Sequence, residues 1–78
     1  MSLKSLIATI AKSLVEHPHE VGVREVNGPH HTVIELRVAR DDIGKVIGRD
    51  GRTAHSMRAL LTAAAAKLGC RSHLDIVD

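Results

Sequence analysis

The eleven residues Ile43-Gly44-Lys45-Val46-Ile47-Gly48-Arg49-Asp50-Gly51-Arg52-Thr53 restrict what this chain can fold into more than any other stretch. Ile43, Val46 and Ile47 recur at helical spacing up to Gly48, and a second helical pattern begins just past Gly51. The two glycines enclose a polar pair, so the chain must bend tightly from one helix into the next. A residue without Cβ lets another backbone come within hydrogen-bonding distance of the loop. The helix that follows starts with unpaired N–H groups and partial positive charge, a setting that suits a phosphate. The plain alternative is that Gly48 and Gly51 only make the turn.

Other glycine motifs fail on spacing. A nucleotide-binding P-loop requires G-x-x-x-x-G-K-[ST], and Val46 stands where its first glycine would be. No dinucleotide fingerprint fits either.

The rest of the chain reads as a frame around this stretch. Leu3, Leu6, Ile7, Ile10, Ala11, Leu14 and Val15 follow the i, i+3, i+4, i+7 pattern of a helix with one buried stripe. Ser2 is its expected N-cap, and Pro18 is expected to end it near Glu16. Val21 and Val23 alternate, but the phase breaks at Glu25 and Val26, predicting a short or bulged edge strand. Asn27-Gly28-Pro29 predicts a hairpin with a loop of about three to five residues. Thr32 to Ala39 is the clearest strand, with Ile34, Leu36 and Val38 on one face and Glu35, Arg37 and Ala39 on the other. Asp41 or Asp42 is the expected cap of the short helix carrying Ile43, Val46 and Ile47. Beyond the loop, Ala54, Met57, Leu61, Ala64, Ala65 and Leu68 fall within about 100° of arc, a core-facing helix stopped by Gly69. Arg71 to Val77 supplies a closing strand. Two helices separate it from the strand of residues 32 to 39, the long crossover that parallel neighbours require.

Composition narrows the function classes. A chain of 78 residues makes one domain, 1–78, and buries only about 60 to 65% of the surface its unfolded form exposes, which leaves little room for an enclosed active site. No Ser or Cys nucleophile has a motif around it, so no catalytic residue and no cofactor are assigned. The single Cys70 suits a reducing cytoplasm, and residues 3 to 15 are too short and too polar for a membrane span. Six histidines include the pairs His17/His19 and His30/His31, but their spacing matches no structural zinc site, and no metal is expected. Phe, Tyr and Trp are all absent, which excludes RNA modules that stack bases on rings. Net charge is only +2, yet Arg37, Arg40, Lys45, Arg49, Arg52 and Arg58 oppose only Asp41, Asp42 and Asp50 around the loop. Such a local excess draws phosphates with moderate, salt-sensitive strength, although mixed-sign surfaces are also ordinary for soluble domains.

Val46-Ile47-Gly48-Arg49-Asp50-Gly51 resembles the I-G-x-x-G signature of KH domains, whose GXXG loop clamps about four nucleotides of single-stranded backbone. The element order resembles the KhpA family of small bacterial KH proteins over nearly the whole chain. That resemblance implies an α+β, minimal type II KH fold of order αββααβ, with a mixed three-stranded sheet and helices on one face. It also implies a cytoplasmic, non-enzymatic RNA chaperone or post-transcriptional regulator. Gly48, Arg49, Asp50, Gly51 and Arg52 would hold RNA backbone, through the N–H groups of residues 49 to 52, with Lys45 adding charge. Bases would lie along Ile43, Ile47 and the strand of residues 32 to 39. Asp50 departs from the family pattern, where a basic or neutral residue is more usual. The partner implied is a KhpB/Jag-like KH protein.

A competing reading makes the chain a protein–protein interaction module or dimerisation subunit with weak RNA contact. Its support is Asp50, which as N-cap of the second long helix would occupy N–H groups otherwise open to phosphate. Leu60 lies about 100° from the centre of the core stripe, and with Met57 and Ala64 at the stripe's edge it predicts a homodimer surface.

Overall fold

The computed structural model describes residues 2–77. The first amphipathic pattern folds as helix α1, Leu3–Leu14, with Leu3, Ile7 and Ala11 buried. Ser2 caps it as expected. Its Oγ accepts from the Ser5 N–H at 3.0 Å, and Ser5 Oγ accepts from the Ser2 N–H at 3.1 Å, a reciprocal box with serine in the place usually held by Glu or Gln. The helix stops two residues short of Glu16. A 3₁₀ turn, Pro18–Glu20, then leads into the sheet.

Strand β1, Gly22–Asn27, pairs antiparallel with β2, His31–Arg37, in an unbroken register from Gly22 opposite Arg37 to Asn27 opposite Thr32. Of the short or bulged edge strand expected here, the edge position holds, but the strand is six residues long and carries no bulge. Edge position explains the lost alternation: β1 lies outermost in the order β1-β2-β3, and of its residues Val23 alone is more than half covered in character, the others being exposed. Residues 28–30 turn the hairpin, closed by the Gly28 N–H donating to the His31 carbonyl at 2.7 Å. Strand β3, Arg71–Val77, matches its expected bounds and runs parallel to β2, with Ile34 beside Leu74 and Leu36 beside Ile76.

Between β2 and β3 come a 3₁₀ turn, Arg40–Asp42, helix α2, Ile43–Ile47, and helix α3, Arg52–Lys67. The helices cover one face of the sheet. Their core residues Ile7, Ala11, Val46, Met57, Leu61 and Ala65 meet Ile34, Leu36 and Leu74 from the strands, all at 1% exposure or less. Full burial of the Ile, Leu, Val and Met side chains among them contributes about 1.5 to 3 kcal/mol each. Leu68 departs from expectation at 65% exposed, because α3 ends at Lys67 and the chain unwinds there. Gly69, at φ +76°, terminates the helix: its N–H donates to the Ala66 carbonyl at 3.1 Å and that of Cys70 to the Ala65 carbonyl at 3.1 Å. This is the Schellman pairing of a glycine-stopped helix.

Candidate nucleic-acid interface

The bend between α2 and α3 is built from three residues with positive φ. Gly48 closes α2, its N–H donating to the Gly44 carbonyl at 2.9 Å, and then takes φ +78° and ψ 172°, a region open essentially to glycine alone. A Cβ there would overlap the Thr53 side chain, with Thr53 Cβ at 2.6 Å. Asp50 (φ 59°, ψ 24°) and Gly51 (φ 73°, ψ 12°) are consecutive left-handed residues. The Arg52 N–H donates to the Arg49 carbonyl across them, which makes residues 49–52 a type I′ turn. Asp-Gly is among the preferred pairs for that turn because aspartate tolerates the left-handed region and glycine has no Cβ to strain.

Asp50 is therefore accounted for by backbone geometry. It makes no side-chain cap on α3, whose N-cap is Gly51, so the support it lent to the interaction-module reading is gone. Asp50 is exposed in the turn, as are Arg49 and Arg52, and none of the three has an ion pair among the described residues. The turn also uses two of the four N–H groups expected to face phosphate. That of Gly51 donates to the Gly48 carbonyl at 3.1 Å and that of Arg52 to Arg49, which leaves the N–H groups of Arg49 and Asp50 outside these bonds. Ile43 and Ile47 are half-buried along α2, and Ile43 packs against the core, while Lys45 is exposed.

Asp42, one of the two residues expected to cap α2, holds its N-cap position, but its side chain makes no capping hydrogen bond there. Its carboxylate, 1% exposed, turns back to the end of α1, accepting from the N–H groups of Glu16 at 3.1 Å and His17 at 3.0 Å and meeting His17 Nδ1 at 3.0 Å. Burial pushes the carboxyl up, but the backbone donors and the imidazole together hold it below its ordinary 3.8. The hydrogen bond to Asp42 raises His17 above its ordinary 6.5 against the opposing effect of burial, and the charges of Asp42, Glu20 and Asp41 add to the rise. Lys45 Nζ lies 3.9 Å from Glu16 Oε1 and 4.0 Å from Asp42 Oδ1, so this cation of the expected phosphate site is partly engaged with its own chain. Sequence reasoning missed the clamp, since its partners lie 25 and 26 residues apart.

The clamp carries a pH dependence with a defined sign. A raised His17 contributes stability that is complete below 6.5 and is lost as pH rises through the folded value, which lies higher. The lowered Asp42 contributes stability that is complete above 3.8 and is lost as pH falls through the folded value, which lies lower. The melting temperature should therefore fall between about pH 6 and about pH 8, and His17→Gln should flatten that fall. Thermal unfolding followed by circular dichroism across this range checks it.

The helix, hairpin, two helices around a G-x-x-G bend and a parallel last strand form the KH arrangement, and a family model described as KhpA/KhpB, KH domain matches residues 4–76. The chain belongs to the KhpA/KhpB KH-domain family. Among proteins similar to it are the RNA-binding protein KhpA of Halalkalibacterium halodurans, 49% identical over 97% of this chain and 100% of that protein, and that of Clostridium acetobutylicum, 48% identical over 96% and 100%. The RNA-binding protein KhpA of Chlamydia pneumoniae is 43% identical, covering 97% of each chain. This KhpA/KhpB family is non-enzymatic. Among the described residues of this KH domain, no group of three or more His, Cys, Asp or Glu side chains could hold a metal, and no helix is long and apolar enough to cross a membrane.

Met57, expected beside Leu60 at a dimer surface, is instead a core residue at 1% exposure. Leu60 is 54% exposed on α3, Ala64 is half-buried, and the unexpectedly open Leu68 joins Leu3, Leu6 and Ala64 around an apolar groove between the start of α1 and the end of α3.

Proposed function

We propose that this chain binds single-stranded RNA through residues 48–51 and acts as a cytoplasmic RNA chaperone or post-transcriptional regulator. The observation that carries this reading is the exposed type I′ turn, which presents Arg49 and Arg52 beside N–H groups the turn itself does not use. Membership of a family whose relatives carry the name RNA-binding protein supports it. Backbone phosphates sit against the N–H groups of Arg49 and Asp50, with Arg49, Arg52 and Lys45 supplying charge. Bases lie along Ile43 and Ile47 and extend toward β2. With no aromatic side chain in the sequence, they rest on aliphatic surface.

A shallow site of this kind takes splayed bases and excludes an A-form duplex. Competition between matched single and double strands should show the single strand preferred. Equal affinity for both, falling equally with salt, would reduce the protein to a nonspecific polycation binder.

Four nucleotides carry little sequence information, so selectivity comes from pairing of two KH units, as a homodimer or with a KhpB/Jag-like KH protein. Leu60 and Ala64 on α3 form the contact, and exposed Leu68 extends it. Light scattering should give about twice the chain mass, and Leu60→Asp should halve it without loss of helical circular dichroism. A parent that stays monomeric at tens of micromolar sinks the pairing.

A further inference from the structure

Asp42 is approached by two side-chain cations that serve different parts of the molecule. On Oδ2, the His17 ring, 40% exposed, comes from the segment that leaves α1. On Oδ1, Lys45 Nζ, 41% exposed, comes from α2 one turn before the loop. The carboxylate between them is fixed by two backbone N–H donors and cannot swing to follow either. We propose that His17 and Lys45 compete for the Asp42 carboxylate, so that proton uptake by His17 frees Lys45 for an RNA phosphate and proton loss draws it back. The proposal deepens the RNA-binding reading and rests on it for the fate of the released lysine.

The argument is electrostatic. A buried carboxylate is screened by salt far less than an exposed one, so each cation on it weakens its pull on the other. With His17 neutral, Lys45 is the one side-chain cation near Asp42 among the described residues, and its ammonium is drawn by Asp42 and Glu16 together. With His17 charged, the carboxylate is already matched and the imidazolium repels the ammonium. Other groups facing this cluster act in one direction: Glu20 from the 3₁₀ turn after α1 and Asp41 from the turn before α2 both favour the charged imidazole. Histidine is the side chain that makes such a change near neutral pH, and a proton is exchanged with solvent without any covalent step.

Two measurements test this. In the RNA-free protein, the His17 ring is titrated by NMR in the parent and in Lys45→Gln. Loss of a competing cation should move the His17 midpoint upward, and an unchanged midpoint overturns the proposal. With a labelled random-sequence single-stranded RNA of about ten nucleotides, long enough to cover the site, affinity should be about threefold weaker at about pH 8 than at about pH 6. His17→Gln should remove that slope, and the same change at His55, an exposed α3 residue four positions past Gly51, should keep it. A slope that survives in His17→Gln, or that disappears in His55→Gln, overturns the proposal. Failure of the RNA reading itself looks different: no loop-dependent RNA binding at any pH, while the RNA-free titration still reports the coupling.

Discussion

Replacing Gly48 by alanine should remove about 3 kcal/mol or more of folding stability, while the same change at Gly51 should remove only about 1 kcal/mol. Both glycines have positive φ, but they are not equivalent. At Gly48 the glycine-only backbone region and the overlap with Thr53, whose Cβ would lie 2.6 Å away, act together. At Gly51 an added Cβ meets nothing within 4 Å, and the left-handed conformation is the sole penalty. A small domain has a narrow stability margin, so Gly48→Ala should shift the urea midpoint by a large fraction of its value. Gly51→Asn, which tolerates the left-handed region, should come closest to the parent. Equal losses for the two alanine variants would show that the Thr53 contact yields easily and that only φ matters.

Arg49→Asp should weaken binding of single-stranded RNA by about 1 kcal/mol or more at low salt, about fivefold, without loss of fold. Arg49 is exposed and carries no packing role, and the change sets two carboxylates side by side at the loop tip. Asp50→Asn provides the opposite sign. Asparagine accepts φ near 59° as readily as aspartate, so the turn persists while one negative charge leaves the phosphate site, and affinity should rise. Titration of a fluorescent oligonucleotide reads both. If folded Arg49→Asp binds as the parent does, the loop is not the site.

Much of this structure was legible because it depends on local pattern. The stripe from Leu3 to Leu14, the alternation of Ile34, Leu36 and Val38, and the Gly69 stop each declare an element within a window of a few residues. The crossover from β2 to β3 followed from the length between two strands. The loop's turn type was available too, since Asp50-Gly51 is a type I′ dipeptide, but reading Asp50 as a charge hid its role in the backbone. Asp42 was beyond local reading. An acid at the start of a helical pattern looks like a cap, and only the folded chain brings Glu16 and His17 to it. Leu68 was misplaced because helical periodicity gives the facing direction but not where along the axis the helix and its cover end, whereas Met57 lies in the core stripe as its spacing indicated and only its added place at a dimer edge fails.

The parallel pairing of β2 with β3 has a kinetic side. The β1–β2 hairpin closes over residues 28–30, whereas the β2–β3 ladder must enclose the whole segment 38–70, which contains α2, the G-x-x-G turn and α3. Closing a short loop takes microseconds or less, and contacts distant in sequence form later because their entropy is lost before they repay it. Pulse-labelled hydrogen exchange should find β1 and β2 amides protected ahead of those in β3. Until translation has passed Leu74, α3 has no completed sheet to lie on, and a ribosome-bound chain displays the glycine turn only as an unanchored bend. On the proposed RNA-binding reading, the phosphate-facing turn is then anchored only once β3 has been made, so RNA affinity of truncated chains should appear only when residues 71–77 are present.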